Sequence, residues 1–221
     1  MARRHRWIAD SNVLSLFPTL VWQFELTHEA RDDVNRNILK SLDSLRPVPA
    51  TMKPGRGWQS GQGLHELGAF QGLVSHIHDV VGSILEFLRA GYDKVEITGC
   101  WANISPPGAS HKAHSHPNNF LSGVYYVQTG PGADSINFHD PRVQTGIIRP
   151  PVTELTAANT DQVVARVRDG TLLLFPAYLE HSVDANESGR ERISVSFNVM
   201  FSSFTENLSR PLWQAIRSFG A

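Results

Sequence analysis

The chain predicts a mainly β fold, a sandwich or jelly roll of short strands covered on one face by two helices. Three observations carry that prediction. Beyond residue 93, short runs rich in Val, Ile, Phe and Tyr alternate with Pro, Gly and Asp clusters. That spacing is typical of sandwich and barrel strands. Two apolar stripes at helical spacing precede these runs. Finally, 221 residues, 41% hydrophobic and 19% charged, suffice for one sizeable core without the excess charge of a disordered chain.

Each element follows from its residues. Leu16–Leu26 reads as a strand, and Pro18 near its start places it at an edge, because proline cannot donate to a central ladder. Thr27 offers an N-cap, and Val34, Ile38, Leu42 and Leu45 make about 28–45 an amphipathic helix ended by Pro47 and Pro49. Residues 50–64 are polar and glycine-rich and form a loop around Trp58, either a plain surface connection or a pocket wall. Leu73, Ile77, Val81, Ile84 and Leu88 define a second helix over about 68–88, with Gly91 suited to its end. His76 and His78, two residues apart, cannot share a helix face and read as ordinary helix residues.

Strand-like runs then follow at Val95–Ile104, Phe120–Val127, Ser135–Phe138, near Gln144–Ile148, Val163–Arg168, Thr171–Phe175 and Arg192–Phe201. Asp169-Gly170, between two of these runs, is the strongest hairpin signal in the chain. Leu208, Leu212, Ile216 and Phe219 suggest a short terminal helix. The expected organisation is a single domain over 1–221. It has an N-terminal strand and helical layer over about 13–92, a jelly-roll core over about 93–201 and a short helix over about 206–219.

Composition excludes several classes of function. Lys and Arg (20) balance Asp and Glu (21) at a formal net charge of −1, so bulk attraction to nucleic acid is not expected. The single cysteine, Cys100, rules out an internal disulfide and a cysteine-based zinc site. No apolar run is long enough for a membrane helix, and the basic Met1–Arg6 start is not followed by a long apolar segment. A cytoplasmic setting is the expectation.

Five of the ten histidines lie after residue 110: His111, His114, His116, His139 and His181. Residues two apart on an extended strand share a face, so His114 and His116 can aim two imidazoles at one ion. Pro117 favours an extended His116. His181 follows the apolar run Leu172–Phe175, where a jelly roll can return a third ligand to the same mouth. Without cysteine, an imidazole-rich site suits iron, zinc, copper or nickel.

The motifs around these residues are His114-Ser115-His116-Pro117-Asn118, Ser122-Gly123-Val124-Tyr125-Tyr126, Phe138-His139-Asp140-Pro141-Arg142, His181-Ser182-Val183 and Arg192-Ile193-Ser194-Val195-Ser196-Phe197-Asn198. Over about 95–201 the chain resembles the prolyl-hydroxylase-like branch of the Fe(II)- and 2-oxoglutarate-dependent oxygenases. It is most similar to a small bacterial and phage subgroup, whose opening Phe17-Pro18-Thr19-Leu20-Val21-Trp22 also resembles.

The resemblance implies a double-stranded β-helix, Fe(II), 2-oxoglutarate as co-substrate, and O₂. Succinate and CO₂ would be released as a C–H bond of a small molecule or amino-acid side chain is hydroxylated. It implies metal ligation by His114 and His181. It implies that Arg192 and Tyr126 hold the far carboxylate of the co-substrate, with Asn103 and Asn198 as further contacts. Where the wider family has a carboxylate, this chain has His116. Three readings follow: His116 is the third ligand, His116 swings away and leaves a vacancy for water or halide, or Asp140 supplies the missing carboxylate.

Two other readings stay open from the residues alone. One is a cupin-like zinc or nickel isomerase or hydrolase, which gives Arg192 and Tyr126 no task. The other is a non-enzymatic binding module that uses the helical layer as an interface. The loop around Trp58 is the expected lid or substrate wall, and free β-edges with a terminal helix would suit a homodimer. No membrane or nucleic-acid partner is expected.

Overall fold

The computed structural model describes residues 7–46, 57–92, 94–142 and 150–205, and every structural statement below concerns these residues. The run near Gln144–Ile148 and the terminal helix expected over about 206–219 lie outside them.

Ten strands form two antiparallel sheets. In chain order they are β1 (Trp22–Glu25), β2 (Trp58–Gln59), β3 (Val95–Ser105), β4 (His111–His114), β5 (Leu121–Gln128), β6 (Ser135–His139), β7 (Gln162–Arg166), β8 (Thr171–Pro176), β9 (His181–Val183) and β10 (Arg192–Phe201). The major sheet runs β1-β8-β5-β10-β3-β2, and the minor sheet runs β4-β9-β6-β7. This is the double-stranded β-helix, with successive strands crossing between sheets.

The helices α1 (His28–Leu45) and α2 (Gln71–Phe87) cover the outer face of the major sheet. Thr27 caps α1 as expected, its hydroxyl accepting from the Ala30 N–H at 3.3 Å. Val34, Ile38 and Leu42 of α1 meet Leu73, Ile77, Val81, Ile84 and Leu85 of α2 and the outward residues of β3, β5, β8 and β10 in one core. A smaller core fills the space between the sheets: Val124, Tyr126, Ile136, Phe138, Leu173 and Phe175.

Four expectations are corrected. The first strand is four residues long, because only Trp22–Glu25 reaches β8, and Pro18 lies outside the ladder. That strand does lie at a sheet edge. Helix α2 ends before Gly91. The left-handed position is Arg89 (φ 53°), where the N–H of Arg89 bonds the Glu86 carbonyl and that of Ala90 bonds the Leu85 carbonyl. These two bonds close the helix so well that a non-glycine residue is tolerated.

Asp169-Gly170 does not make a hairpin. Gly170 does adopt positive φ (90°), but β7 pairs with β6 while β8 pairs with β1 and β5. Asp169 directs the chain across: its carboxylate accepts from the N–H and the hydroxyl of Thr129, both at 2.7 Å. The loop around Trp58 is in part a strand, with Trp58 and Gln59 paired to Ile104 and Asn103.

The two faces of β10 explain the architecture. Ile193, Val195, Phe197 and Val199 point into the helix-covered core, while Arg192, Ser194, Ser196 and Asn198 line the inter-sheet cavity. Strand pairing lays these inward residues out in rows. Arg192 pairs with Ser105 in the first row. Gln59, Asn103, Ser194 and Tyr126 form the second, and Trp101, Ser196, Val124 and Leu173 the third. Gly99, Asn198, Ser122 and Phe175 form the fourth.

Gly123 is the tight point of the major sheet. A Cβ there would lie 2.2 Å from Phe197 Cζ and 2.8 Å from the Leu173 carbonyl oxygen. Gly123→Ala therefore overpacks the core and is expected to lower unfolding free energy by ~1–3 kcal/mol in denaturant titrations. Adding Phe197→Leu should recover part of that loss, because it removes the ring atoms that clash. Two strictly additive losses would overturn this account.

Candidate metal centre

Three imidazoles converge at the mouth of the inter-sheet cavity. The register of β4 on β9 puts His114 directly opposite His181. His116 lies just past the end of β4, where its N–H bonds the Ala177 carbonyl at 2.9 Å and Asn118 turns the chain at φ 64°. His114 and His116 therefore meet through a turn and not through the two-residue period of a continuous strand.

The ring centroids lie 4.4 Å (His114–His181), 5.1 Å (His114–His116) and 5.2 Å (His116–His181) apart. One ligand nitrogen from each falls within 4.8 Å of the others.

Backbone carbonyls set two of the tautomers. The Nδ1 of His114 lies 2.8 Å from the Lys112 carbonyl, and the Nδ1 of His181 lies 3.0 Å from the Leu179 carbonyl. A carbonyl can only accept, so both Nδ1 atoms carry the proton and leave Nε2 with a lone pair for a metal. Burial pushes His116 and His181 down to about 4, helped by neighbouring histidines, although the Leu179 carbonyl opposes the shift in His181. Both rings are neutral at pH 7, the form that can coordinate.

At the far end of the same cavity lies Arg192, 4% exposed. Among the described residues no carboxylate lies within ion-pair distance of it. Burial lowers its pKa, and the nearby Tyr126 opposes that shift. Tyr126, 2% exposed, has its own pKa raised by burial. Asn103 is 6% exposed, and its Nδ2 donates to Ser196 Oγ at 3.1 Å while its Oδ1 has no partner. A buried guanidinium without a counter-ion and an orphaned amide oxygen in one cavity with three converging imidazoles fit a divalent metal with an anionic chelator.

Asp140 lies elsewhere. Its carboxylate accepts from Arg142 Nε at 2.9 Å and Nη2 at 2.7 Å and lines a second cavity with Phe17, His139 and Asp161. The metal-ligand cluster found among the described residues contains His114, His116 and His181 and omits Asp140.

Asn198 lines the first cavity, but six residues of β10 separate it from Arg192, ~20 Å along the strand. It shares a row with Phe175, whose ring centroid lies 4.7 Å from that of His181.

Three cavity residues escaped the sequence reading. Trp101, 5.7 Å from His116 between ring centroids, lies two places before Asn103 on the inward face, a signal strand alternation could have supplied. His111 and Gln62 also line the cavity, and only the tertiary structure brings them there.

The cavity measures about 640 Å³. Residues 99–198 match the model of a family described as "Putative 2OG-Fe(II) oxygenase". Among curated proteins no sequence matches the chain. Solved structures share the fold. A prolyl-4-hydroxylase from Pseudomonas putida is 16% identical, with a TM-score of 0.56 over 83% of this chain and 93% of that one. HygX from Streptomyces hygroscopicus, solved with nickel, 2-oxoglutarate and hygromycin B, is 13% identical, with a TM-score of 0.56 over 83% and 84%. The α-ketoglutarate-dependent carbocyclase SnoK of nogalamycin biosynthesis is 13% identical, with a TM-score of 0.62 over 86% and 87%. The 99–198 match and the three-histidine cluster make the chain similar to the Fe(II)- and 2-oxoglutarate-dependent oxygenases over its β core, and the donor set fits Fe(II) as cofactor with 2-oxoglutarate as co-substrate.

Proposed function

We propose that the protein is an Fe(II)- and 2-oxoglutarate-dependent oxygenase that hydroxylates an unactivated C–H bond of a small molecule or amino-acid side chain, with His114, His116 and His181 holding the iron. Arg192 and Tyr126 hold the far carboxylate of 2-oxoglutarate. One observation carries the reading: Arg192 is a buried, carboxylate-free cation in the same cavity as three mutually close imidazoles, two of them shifted toward the neutral form. A zinc or nickel isomerase has no use for that cation, and a binding module has no use for the imidazoles.

Iron and 2-oxoglutarate held there would supply the oxidising power, with succinate and CO₂ as co-products. The chain's residues do the rest. The planar Arg192 fork suits a bidentate carboxylate, and the Tyr126 hydroxyl can donate beside it. The Asn103 amide stands in the next row, where either end can face the co-substrate, because the Ser196 hydroxyl can donate or accept. Ile136, Phe175 and Val183 wall the cavity with apolar surface and help exclude water from the reacting carbon.

Purified protein loaded anaerobically with Fe(II) should develop the visible iron–keto-acid charge-transfer band on adding 2-oxoglutarate. It should then form succinate slowly in air without its true substrate. Absence of both sinks the proposal. His114→Ala and His181→Ala should each lose the single equivalent of iron found by metal analysis, whereas Asp140→Asn should keep it. Loss in the Asp140 variant would restore that residue as a ligand.

Arg192→Lys keeps the charge but removes the fork. It should raise the Kd for 2-oxoglutarate about tenfold or more, roughly 1.4 kcal/mol, when the band is titrated. An unchanged Kd would remove Arg192 from the co-substrate site.

A further inference from the structure

The cavity has two ends of different chemistry. Arg192, Tyr126 and Asn103 occupy the deep end. The end beside the imidazoles is walled by Gln62, Thr98, Trp101, Asn119 and Asn198 above the bare backbone of Gly99. Among the described lining residues there is no Asp, Glu or Lys, and Arg192 is the one permanently charged side chain. A cation entering this end would lose hydration with no carboxylate to replace it. An anion would find its only guanidinium already committed to the co-substrate.

The amides at this end are not equivalent. Asn119 is spent on its neighbours: its Oδ1 accepts from the Thr98 hydroxyl at 2.5 Å, and its Nδ2 donates to the Pro117 carbonyl at 3.0 Å. It braces the turn that carries His116. Asn198 is fixed but unspent. One end of its amide pairs with the Ser122 hydroxyl at 2.7 Å, and the other end has no protein partner among the described residues.

Beside it stands the Trp101 indole, 7% exposed. A Cβ at Gly99 would lie 3.6 Å from both Gln62 Oε1 and Trp101 Cζ3, so the missing side chain leaves a notch between the amide and the indole.

We infer that the substrate buries a neutral group here: an uncharged amide, carbonyl or hydroxyl hydrogen-bonded to the free end of the Asn198 amide and attached to a flat apolar face that lies in the Gly99 notch against Trp101. This rests on the oxygenase reading and adds the charge class of what that site takes. Asn198 is thereby a specificity residue, and Gln62 flanks the notch from the exposed loop.

Benzamide, benzamidine and benzoate share one shape and differ in charge, so they test the inference directly. Each is titrated by saturation-transfer NMR into Zn(II)-loaded protein saturated with 2-oxoglutarate. Benzamide should bind best, by about threefold or more over both ions. Asn198→Asp should invert the order in favour of benzamidine. Gln62→Glu, at an exposed position where folding is not at stake, should move it the same way.

Benzamidine or benzoate binding wild type as well as benzamide overturns the inference. So does binding of none of the three, or an order unchanged in both variants. Failure of 2-oxoglutarate itself to bind sinks the oxygenase reading and this inference together. Normal 2-oxoglutarate binding with the wrong probe order sinks the inference alone.

Discussion

A guanidinium buried between two sheets with no carboxylate beside it is the constraint on which the rest depends. Arg192 is 4% exposed, and burial already destabilises its charged form. Holding it there costs folding free energy. The surroundings limit that cost without neutralising it. Tyr126 stands close enough to favour the charge, and Ser105, Asn103 and Ser194 share its part of the inner sheet face. A dianion arriving in the cavity supplies the missing counter-charge. In the proposed reading the site is incomplete as folded, and binding of the co-substrate would offset the cost of burying that charge. A ligand at a hundred times its Kd adds about 2.7 kcal/mol to stability by mass action alone.

The metal end follows the opposite logic. His116 and His181 are held neutral by burial, and the carbonyls of Lys112 and Leu179 pin the ring protons of His114 and His181 to Nδ1. If all three rings coordinate, imidazole donors would leave a divalent ion with its whole charge, where a carboxylate ligand would cancel part. That charge attracts an anionic chelator more strongly and makes a nearby acidic wall unnecessary, in keeping with a lining free of Asp and Glu. One residue type at position 116 thus bears on both the co-substrate and the character of the cavity.

The two layers of the molecule divide the work. The helices and the outward faces of β3, β5, β8 and β10 form a large apolar core that supplies stability. The inward faces carry the polar rows, with Asn103 Oδ1 left unpaired. Asp140 and Arg142 satisfy each other around a second cavity, which shows that an Asp-Pro turn near a histidine need not feed a metal site.

Sequence alone determined whatever a local period or a chemical type can encode. The alternation of β10 separates Arg192, Ser194, Ser196 and Asn198 from Ile193, Val195 and Phe197. The 3.6-residue stripes and the Thr27 cap located both helices, and the three histidines were identifiable by type and motif. Tertiary structure decided what depends on distance across the chain. It sent β7 and β8 into different sheets despite Asp169-Gly170, because a turn fixes direction while partner strands fix pairing. It brought His116 to the cluster through a turn, set Asn198 and Arg192 in the same cavity, and carried Trp101, His111 and Gln62 to its wall. Periodicity reports which way a side chain faces, and only the register of non-local strands reports what it faces.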